Sequence, residues 1–128
     1  MDSELLTINQ AAQLSGLSAH TLRYYERIGL LDPVGRASNG HRRYTAKDLA
    51  WLDFLTRLRT TDMPICQMQE FAALRRQGDA TIAQRIALLE AHQQAVQSQI
   101  AELQRNLEAI TGKIKYYHQM EKNYDNHI

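Results

Sequence analysis

The chain has 128 residues and a formal net charge of +1, with 15 Lys and Arg residues against 14 Asp and Glu residues. Hydrophobic residues make up 44% of the chain and charged residues 23%, which are ordinary values for a globular protein and exclude a disordered or collagen-like chain. One cysteine, Cys66, cannot form an internal disulfide, so a disulfide-stabilised secreted scaffold is excluded. The sequence has no basic leader segment and no run of ~18 apolar residues that could span a membrane, so we expect a cytoplasmic protein without membrane contact.

The N-terminal region is predicted to form two short helices. Thr7 and Gln10 have the spacing of a capping box, which starts the first helix. Gly16 suits the left-handed turn that ends this helix, and Ser18 is a good N-cap for a second helix that runs to Ile28. Two short helices joined by about three residues form a helix-turn-helix.

The segment from Leu30 to Tyr44 has no helical periodicity and contains an Asn39-Gly40 turn, which favours a two-stranded loop, or wing. Thr45 then starts a third helix through a capping box with Asp48, and this helix ends near Thr60. Its apolar residues are expected to supply the core: Leu49, Trp51, Leu52, Phe54, Leu55 and Leu58.

Two further helices follow. Pro64 suits the first turn of a fourth helix, whose inward residues are expected to be Met68, Phe71 and either Leu74 or Ala72. Thr81 and Gln84 have capping-box spacing and are predicted to start the longest helix.

From Ile82 onward, apolar residues recur in alternating steps of four and three, which is the heptad seam of a coiled coil. The seam consists of Ile82, Ile86, Leu89, Gln93, Val96, Ile100, Leu103, Leu107, Ile110, Ile114 and Tyr117. A helix from residue 82 to about 120 would be ~58 Å long at ~1.5 Å per residue, too long to bury its seam against residues 1–80. We therefore expect a partner helix from a second copy of the chain. The polar seam residue Gln93 either fixes the register of the pair or has no specific role.

Positive charge is concentrated in one part of the chain. Between His20 and Lys47, six basic residues meet two acidic ones, whereas residues 81–128 contain five of each. Tyrosines and Asn39 are interleaved with these basic residues and can donate to phosphate oxygens. Charge alone is also compatible with a solvated surface, but on a helix-turn-helix followed by a wing it predicts nucleic-acid binding.

Several sequence blocks together resemble the MerR family of bacterial transcriptional regulators. They are LTINQAA at residues 6–12, GLS at 16–18, TLRYYERIGLL at 21–31, NGHRRY at 39–44 and DL at 48–49. The match runs from residue 5 to about residue 75 and keeps the order and spacing of the family.

This resemblance, together with the heptads, predicts a mostly α fold. It consists of a winged helix-turn-helix domain in residues 1–78, which includes the third and fourth helices, and a helix in residues 79–120 that forms an antiparallel dimeric coiled coil. A polar tail occupies residues 121–128.

The resemblance also implies a function. A homodimer would place its two second helices in successive major grooves of double-stranded promoter DNA and distort the promoter spacer, so that RNA polymerase can engage the promoter. Such a protein is cytoplasmic and joins the nucleoid when bound to DNA. The positions that correspond to DNA contacts are Ser18, His20, Thr21, Arg23, Tyr24, Arg27, Asn39, Gly40, His41, Arg42, Tyr44 and Arg59. Tyr25 and Glu26 fit either a DNA contact or internal packing. The dimer contacts are expected from Ile86, Leu89, Val96, Ile100, Leu103, Leu107, Ile110, Ile114 and Tyr117.

In such a regulator, the residues that could respond to a controlling signal are the cysteines and their surroundings. Metal-sensing relatives use cysteines that this chain lacks, so no metal and no cofactor are expected. Residues 71–117 are similar to the branch that responds to aldehydes or other electrophiles through one cysteine, whose usual position lies near Arg57 here. Cys66 lies instead near the start of the fourth helix, among apolar neighbours that suggest partial burial. It is either a sensor thiolate or an inert buried residue.

A small-molecule or electrophile effector is therefore expected. The best place for it is the junction between residues 66–71 and the partner's coiled coil near Tyr116, Tyr117 and Met120.

The sequence also bears on two other classes of protein, enzymes and coiled-coil adaptors. No phosphate-binding loop, nucleophile elbow or metal-ligand cluster occurs in the sequence, so we do not expect an enzyme. A coiled-coil adaptor that kept the helix-turn-helix scaffold without binding DNA is the alternative, against which Arg42 and the basic second helix argue. Salt dependence separates the two, because DNA affinity falls steeply with ionic strength.

Overall fold

The structure, a computed structural model, describes residues 5–32 and 43–126. These residues form helices α1 (Ile8–Ser15), α2 (Ala19–Arg27), α3 (Ala46–Thr60), α4 (Ile65–Arg76) and α5 (Ile82–Asn126), with a 3₁₀ turn at Asp79–Thr81 before α5. The mostly α class predicted from the sequence is confirmed. The chain divides into two compact units, Met1–Leu88 and Leu89–Ile128, and α5 contributes to both. Among the described residues, no helix combines the length and the apolar character that crossing a membrane requires.

Helices α1 and α3 begin at the predicted capping boxes. The Thr7 hydroxyl accepts from the Gln10 amide at 3.2 Å, and the Gln10 side chain accepts from the Thr7 amide at 2.8 Å. Thr45 and Asp48 make the same reciprocal pair at 3.2 and 2.9 Å. Because the first amides of a helix have no partner within it, these side chains fix where each helix starts.

The core of the first unit lies around α3. Its residues Trp51, Leu52, Leu55 and Leu58 are buried, whereas Leu49 and Phe54 are half-buried. The other buried hydrophobic residues are Ala11, Leu22, Tyr25, Leu30, Leu31, Tyr44, Met63, Met68, Phe71 and Ala72. Met68, Phe71 and Ala72 are the predicted inward residues of α4, and Leu74 is half-buried.

The predicted wing lies mostly outside the described residues. At its end, Tyr44 pairs with Leu6 as an antiparallel bridge, with N–O distances of 2.7 and 2.8 Å. This bridge ties the segment before α1 to the segment before α3.

Two helix boundaries and one capping contact differ from the predictions, although α5 starts at Ile82, directly after Thr81, as expected. Pro64 is the N-cap of α4, one residue before the helix, instead of lying within its first turn. The capping box at Thr81 and Gln84 is wrong: Thr81 is buried, and its hydroxyl lies 2.5 Å from the Leu74 carbonyl oxygen and 3.0 Å from that of Gly78. Its side chain therefore faces back toward α4. Helix α5 continues to Asn126, six residues beyond the predicted end near 120.

The second unit consists of α5 alone among the described residues, and the predicted long helix is confirmed. None of the 45 residues of α5 is buried. Its seam residues are half-buried or exposed on the single chain, for example Ile100 at 58% and Leu103 at 68% of full exposure. The helix therefore carries an apolar seam on its surface, interrupted by the polar residue Gln93.

Candidate nucleic-acid interface

Helix α2 has one buried face and one exposed face. Leu22 and Tyr25 are buried, whereas His20, Arg23 and Arg27 are exposed. The three exposed residues are spaced by three and four positions, so they lie on one side of the helix. The structure thus brings these predicted DNA contacts together on the outward face of α2.

The N-terminal end of α2 is fixed by a pair of hydroxyls. The Ser18 side chain accepts from the Thr21 amide at 3.0 Å and donates to the Thr21 hydroxyl at 2.9 Å. Ser18 is exposed and Thr21 is half-buried. Helix N-termini with free amides and hydroxyls suit phosphate oxygens, so both predicted residues lie where a DNA backbone could contact them.

Tyr24 and Arg27 form a contact near the other end of α2. The guanidinium carbon of Arg27 lies 5.4 Å from the centroid of the Tyr24 ring. A cation over a ring is attracted to its electron-rich face. The contact therefore restrains the Arg27 side chain along the surface of the helix.

Tyr25 and Arg59 connect α2 to α3. The Tyr25 ring is fully buried, and its hydroxyl accepts from Arg59 Nη1 at 3.4 Å. Of the two interpretations left open for Tyr25, the structure therefore favours internal packing. Arg59 itself is exposed, so α3 adds a cation beside α2 from a position 34 residues away in sequence. Glu26 is half-buried.

Tyr44 corrects one prediction. It has no exposed surface, because its pairing with Leu6 turns the ring into the core. The predicted phosphate contact from this side chain is therefore replaced by a packing role. The wing residues Asn39, Gly40, His41 and Arg42 lie outside the described residues.

The segment after α2 leaves the helix through a Schellman turn. The Leu30 amide donates to the Tyr25 carbonyl at 2.9 Å, and the Gly29 amide donates to that of Glu26 at 3.3 Å. Gly29 has a φ of 85°, a left-handed conformation that favours glycine. This turn places three carbonyl groups, those of residues 28–30, beyond the end of the helix.

Sequence reasoning missed the side chains that bind these carbonyls. Gln69, Arg76 and Trp51 donate to the carbonyl oxygens of residues 28, 29 and 30, in that order. Between 21 and 47 residues separate each donor from its acceptor. Capping and heptad signals span only a few residues, so no local pattern indicated these contacts.

Cys66 corrects a second prediction. It is the second residue of α4 and is exposed, instead of partly buried among Met63, Ile65 and Met68. Within residues 5–32 and 43–126, no group of three or more His, Cys, Asp or Glu side chains could hold a metal ion. In the second unit, Tyr116, Tyr117 and Met120 are exposed on α5.

The chain is similar to known regulators along most of its length. Residues 6–74 match the family described as MerR HTH family regulatory protein, and residues 49–112 match the family described as MerR, DNA binding. An uncharacterized HTH-type transcriptional regulator from Haemophilus influenzae is 43% identical, over 87% of this chain and 82% of that protein. The HTH-type transcriptional regulator AdhR from Bacillus subtilis is 39% identical, over 66% of this chain and 60% of that protein.

Solved structures show the same similarity. The crystal structure of HiNmlR, described as a MerR family regulator lacking the sensor domain and bound to promoter DNA, superposes with a TM-score of 0.82 at 41% identity. The match covers 91% of this chain and 92% of that one. A MerR family transcriptional regulator from Bacillus thuringiensis superposes with a TM-score of 0.76 at 31% identity, over 87% of this chain and 97% of that one.

Proposed function

We propose that this chain, which belongs to the MerR family of DNA-binding transcriptional regulators, acts as a homodimer that binds a promoter through α2 and distorts the DNA in response to an effector. The observation that carries this proposal is the exposed face of α2, where His20, Arg23 and Arg27 lie together on a helix capped by Ser18. The similar proteins are transcriptional regulators, which does not support the adaptor alternative. We assign the protein to the cytoplasm and, when bound to DNA, to the nucleoid.

Each part of the chain has a proposed role. Residues 1–78 bind DNA and residues 79–120 form the dimer, whereas the polar residues from 121 onward, of which those up to Asn126 continue α5, lie outside the dimer seam. At the groove and the adjacent phosphates we place Ser18, His20, Thr21 and Arg23. On the flanking backbone we place Tyr24, Arg27, Arg59 and the wing residues Asn39, Gly40, His41 and Arg42.

Arg23 provides the first test. The purified protein is used to select genomic fragments, and the enriched sites are footprinted at two salt concentrations. We expect inverted half-sites between promoter elements, a steep salt dependence of about −0.9 in log–log slope per phosphate contact, and loss of selectivity in Arg23→Ala. The control is Arg57→Ala, which removes an exposed arginine whose guanidinium is 3.2 Å from Asp53 on α3. A shallow salt slope, or equal losses in both variants, would contradict the role of α2.

The exposed seam of α5 supports the homodimer. A row of apolar residues that includes Ile100, Leu103 and Leu107 is more than half exposed on one chain, and a second copy of the helix would remove this surface from water. In an antiparallel pair, Gln93 faces an apolar seam residue in the other half of the partner helix. In a parallel pair, it faces its own copy.

Cysteine cross-linking tests this orientation. In a Cys66→Ser background, Gln93→Cys alone is expected to give no disulfide-linked dimer. A second cysteine, either Leu103→Cys or Ile110→Cys according to the register, is expected to give one. Efficient cross-linking of Gln93→Cys alone would establish a parallel pair and overturn the antiparallel proposal.

The effector is proposed to be a small molecule or an electrophile, with RNA polymerase as the partner that responds to the distorted promoter. Cys66 supports an electrophile because it is an exposed thiol at the start of α4. In a promoter transcription assay, an electrophile should activate the wild type and leave Cys66→Ser unresponsive. Equal induction of both proteins would remove Cys66 from the signalling mechanism.

A further inference from the structure

We propose that Gln69 and Arg76 of α4, with Trp51 of α3, are positioning residues for DNA recognition. Their side chains hold the segment that follows α2, and they thereby set the orientation of the exposed face of α2. This inference rests on the proposed role of α2 as the DNA-reading helix. We call the three donors the carbonyl clamp.

The clamp binds three consecutive carbonyl oxygens of residues 28–30. Gln69 Nε2 donates to the first at 2.9 Å, and Trp51 Nε1 donates to the third at 2.7 Å. The Arg76 guanidinium donates to the middle one through Nη2 and to the Asp32 carboxylate through Nε. Every residue of this turn from 28 to 30 is therefore fixed by a side chain from another helix.

These bonds satisfy groups that α2 itself cannot satisfy. The last carbonyls of a helix and those of the turn beyond it have no amide partner within the helix. The bonds from Trp51 and Gln69 are costly to lose, because they are buried or partly buried and each carbonyl would be left without a partner away from water, whereas the bond from Arg76 is exposed. The turn therefore has a strong preference for the position that α3 and α4 impose.

One of the donors, Trp51, is itself packed against α4. The Trp51 ring stacks on Phe71 of α4, with centroids 5.8 Å apart and planes 19° apart, and the Arg75 guanidinium carbon lies 4.2 Å from the Trp51 ring centroid. Gln69 and Arg76 are seven residues apart and so lie on the same side of α4. A displacement of α4 is thus transmitted to two adjacent carbonyls beyond the end of α2, through two side chains that lie two turns apart on α4.

A positioning role makes a prediction that a purely structural role does not. Loss of the clamp should reduce discrimination between operator DNA and random DNA, because α2 keeps its charges but loses its fixed orientation. Nonspecific binding depends on the number of neutralised phosphates and should be nearly unchanged. The informative quantity is therefore the dissociation constant for random DNA divided by that for operator DNA, measured on folded dimers at one salt concentration. A loss of discrimination lowers this ratio.

The chain offers matched controls. Gln69→Met is compared with Gln67→Met, since Gln67 is an exposed glutamine on the same helix whose side chain bonds to none of the described residues. Arg76→Met is compared with Arg57→Met, which removes one positive charge from an ordinary surface ion pair with Asp53. Gln69→Met is expected to lower the ratio about tenfold, the scale of one hydrogen bond, and Arg76→Met, which loses its bonds to Gly29 and Asp32, about tenfold or more. Each control is expected to stay within about twofold of the wild type.

Two further measurements keep the proposal testable if a clamp variant unfolds. Arg76→Lys keeps the charge but loses the two-pronged contact, so its ratio should fall between those of the wild type and Arg76→Met. In Gln69→Met, hydrogen exchange at the Leu30 amide, which donates to Tyr25, should accelerate more than exchange within α3.

The outcomes separate this inference from the function on which it rests. If the wild type does not prefer any operator over random DNA, the proposed function fails. If the wild type is selective and the clamp variants match their controls, or lose operator and random binding equally, the positioning role is overturned.

Discussion

The exposed seam of α5 allows a quantitative prediction for dimer formation. Leu107 lies near the middle of the C-terminal half of the seam and retains 54% exposure on the single chain. Leu107→Ala removes most of its apolar surface from the dimer interface while leaving a good helix former in place. The substitution therefore weakens association without disturbing the helix.

The size of the effect follows from the exposure of the side chain. Complete burial of a leucine is worth about 1.5–3 kcal/mol, and about half of that remains to be gained when the partner covers the seam. Both subunits carry the change, so the dimer should lose about 1.5–3 kcal/mol, which raises its dissociation constant about 10- to 150-fold.

Sedimentation equilibrium over a dilution series measures this constant directly. The control is Gln94→Ala, which shortens an exposed side chain of similar length next to the seam position Gln93. The reasoning is refuted if Leu107→Ala changes the dissociation constant less than about threefold, or no more than Gln94→Ala does, because either result means that the seam is not the interface.

Three further predictions concern single sites. Gly112→Ala should raise the stability of α5 by about 0.5–1 kcal/mol per chain in denaturant unfolding, since Gly112 is a helical residue and an added Cβ meets nothing within 4 Å. A decrease in stability would show that this side of α5 is covered. Thr45→Ala should lower the unfolding free energy by about 1 kcal/mol through loss of the α3 capping box, whereas Thr45→Ser should retain most of it. Cys66 should react stoichiometrically with a thiol reagent in the native protein, since it is exposed; a requirement for denaturant would contradict the structure.

Capping signals predicted the helix starts well where the determinants are local. The boxes at Thr7 and Thr45 each act within four residues, and both form. The same pattern failed at Thr81, because the hydroxyl there is buried and bonds to the Leu74 carbonyl at the end of the preceding helix. A local rule holds only while no distant group competes for the same side chain.

The candidate site shows the same difference between residues that the sequence could predict and residues whose role depends on distant contacts. The resemblance to the MerR family identified His20 and Arg23 as DNA contacts, and the structure places both on the exposed face of α2. The resemblance could not distinguish Tyr44 as a core residue from Tyr44 as a phosphate contact, because that depends on its pairing with Leu6, 38 positions earlier. The carbonyl clamp could not be predicted from the sequence for the same reason, since its donors belong to helices far along the chain.

The open seam of α5 also bears on how much of this protein a cell must contain. In the proposed homodimer, subunits at concentrations below the dissociation constant would expose the seam of a 45-residue helix, a surface prone to proteolysis and aggregation. Newly made chains would then be lost to proteolysis or aggregation until their concentration exceeds the dissociation constant of the dimer. Abundance of the regulator would therefore respond steeply to its own rate of expression, and a weaker seam would raise the copy number at which the protein persists.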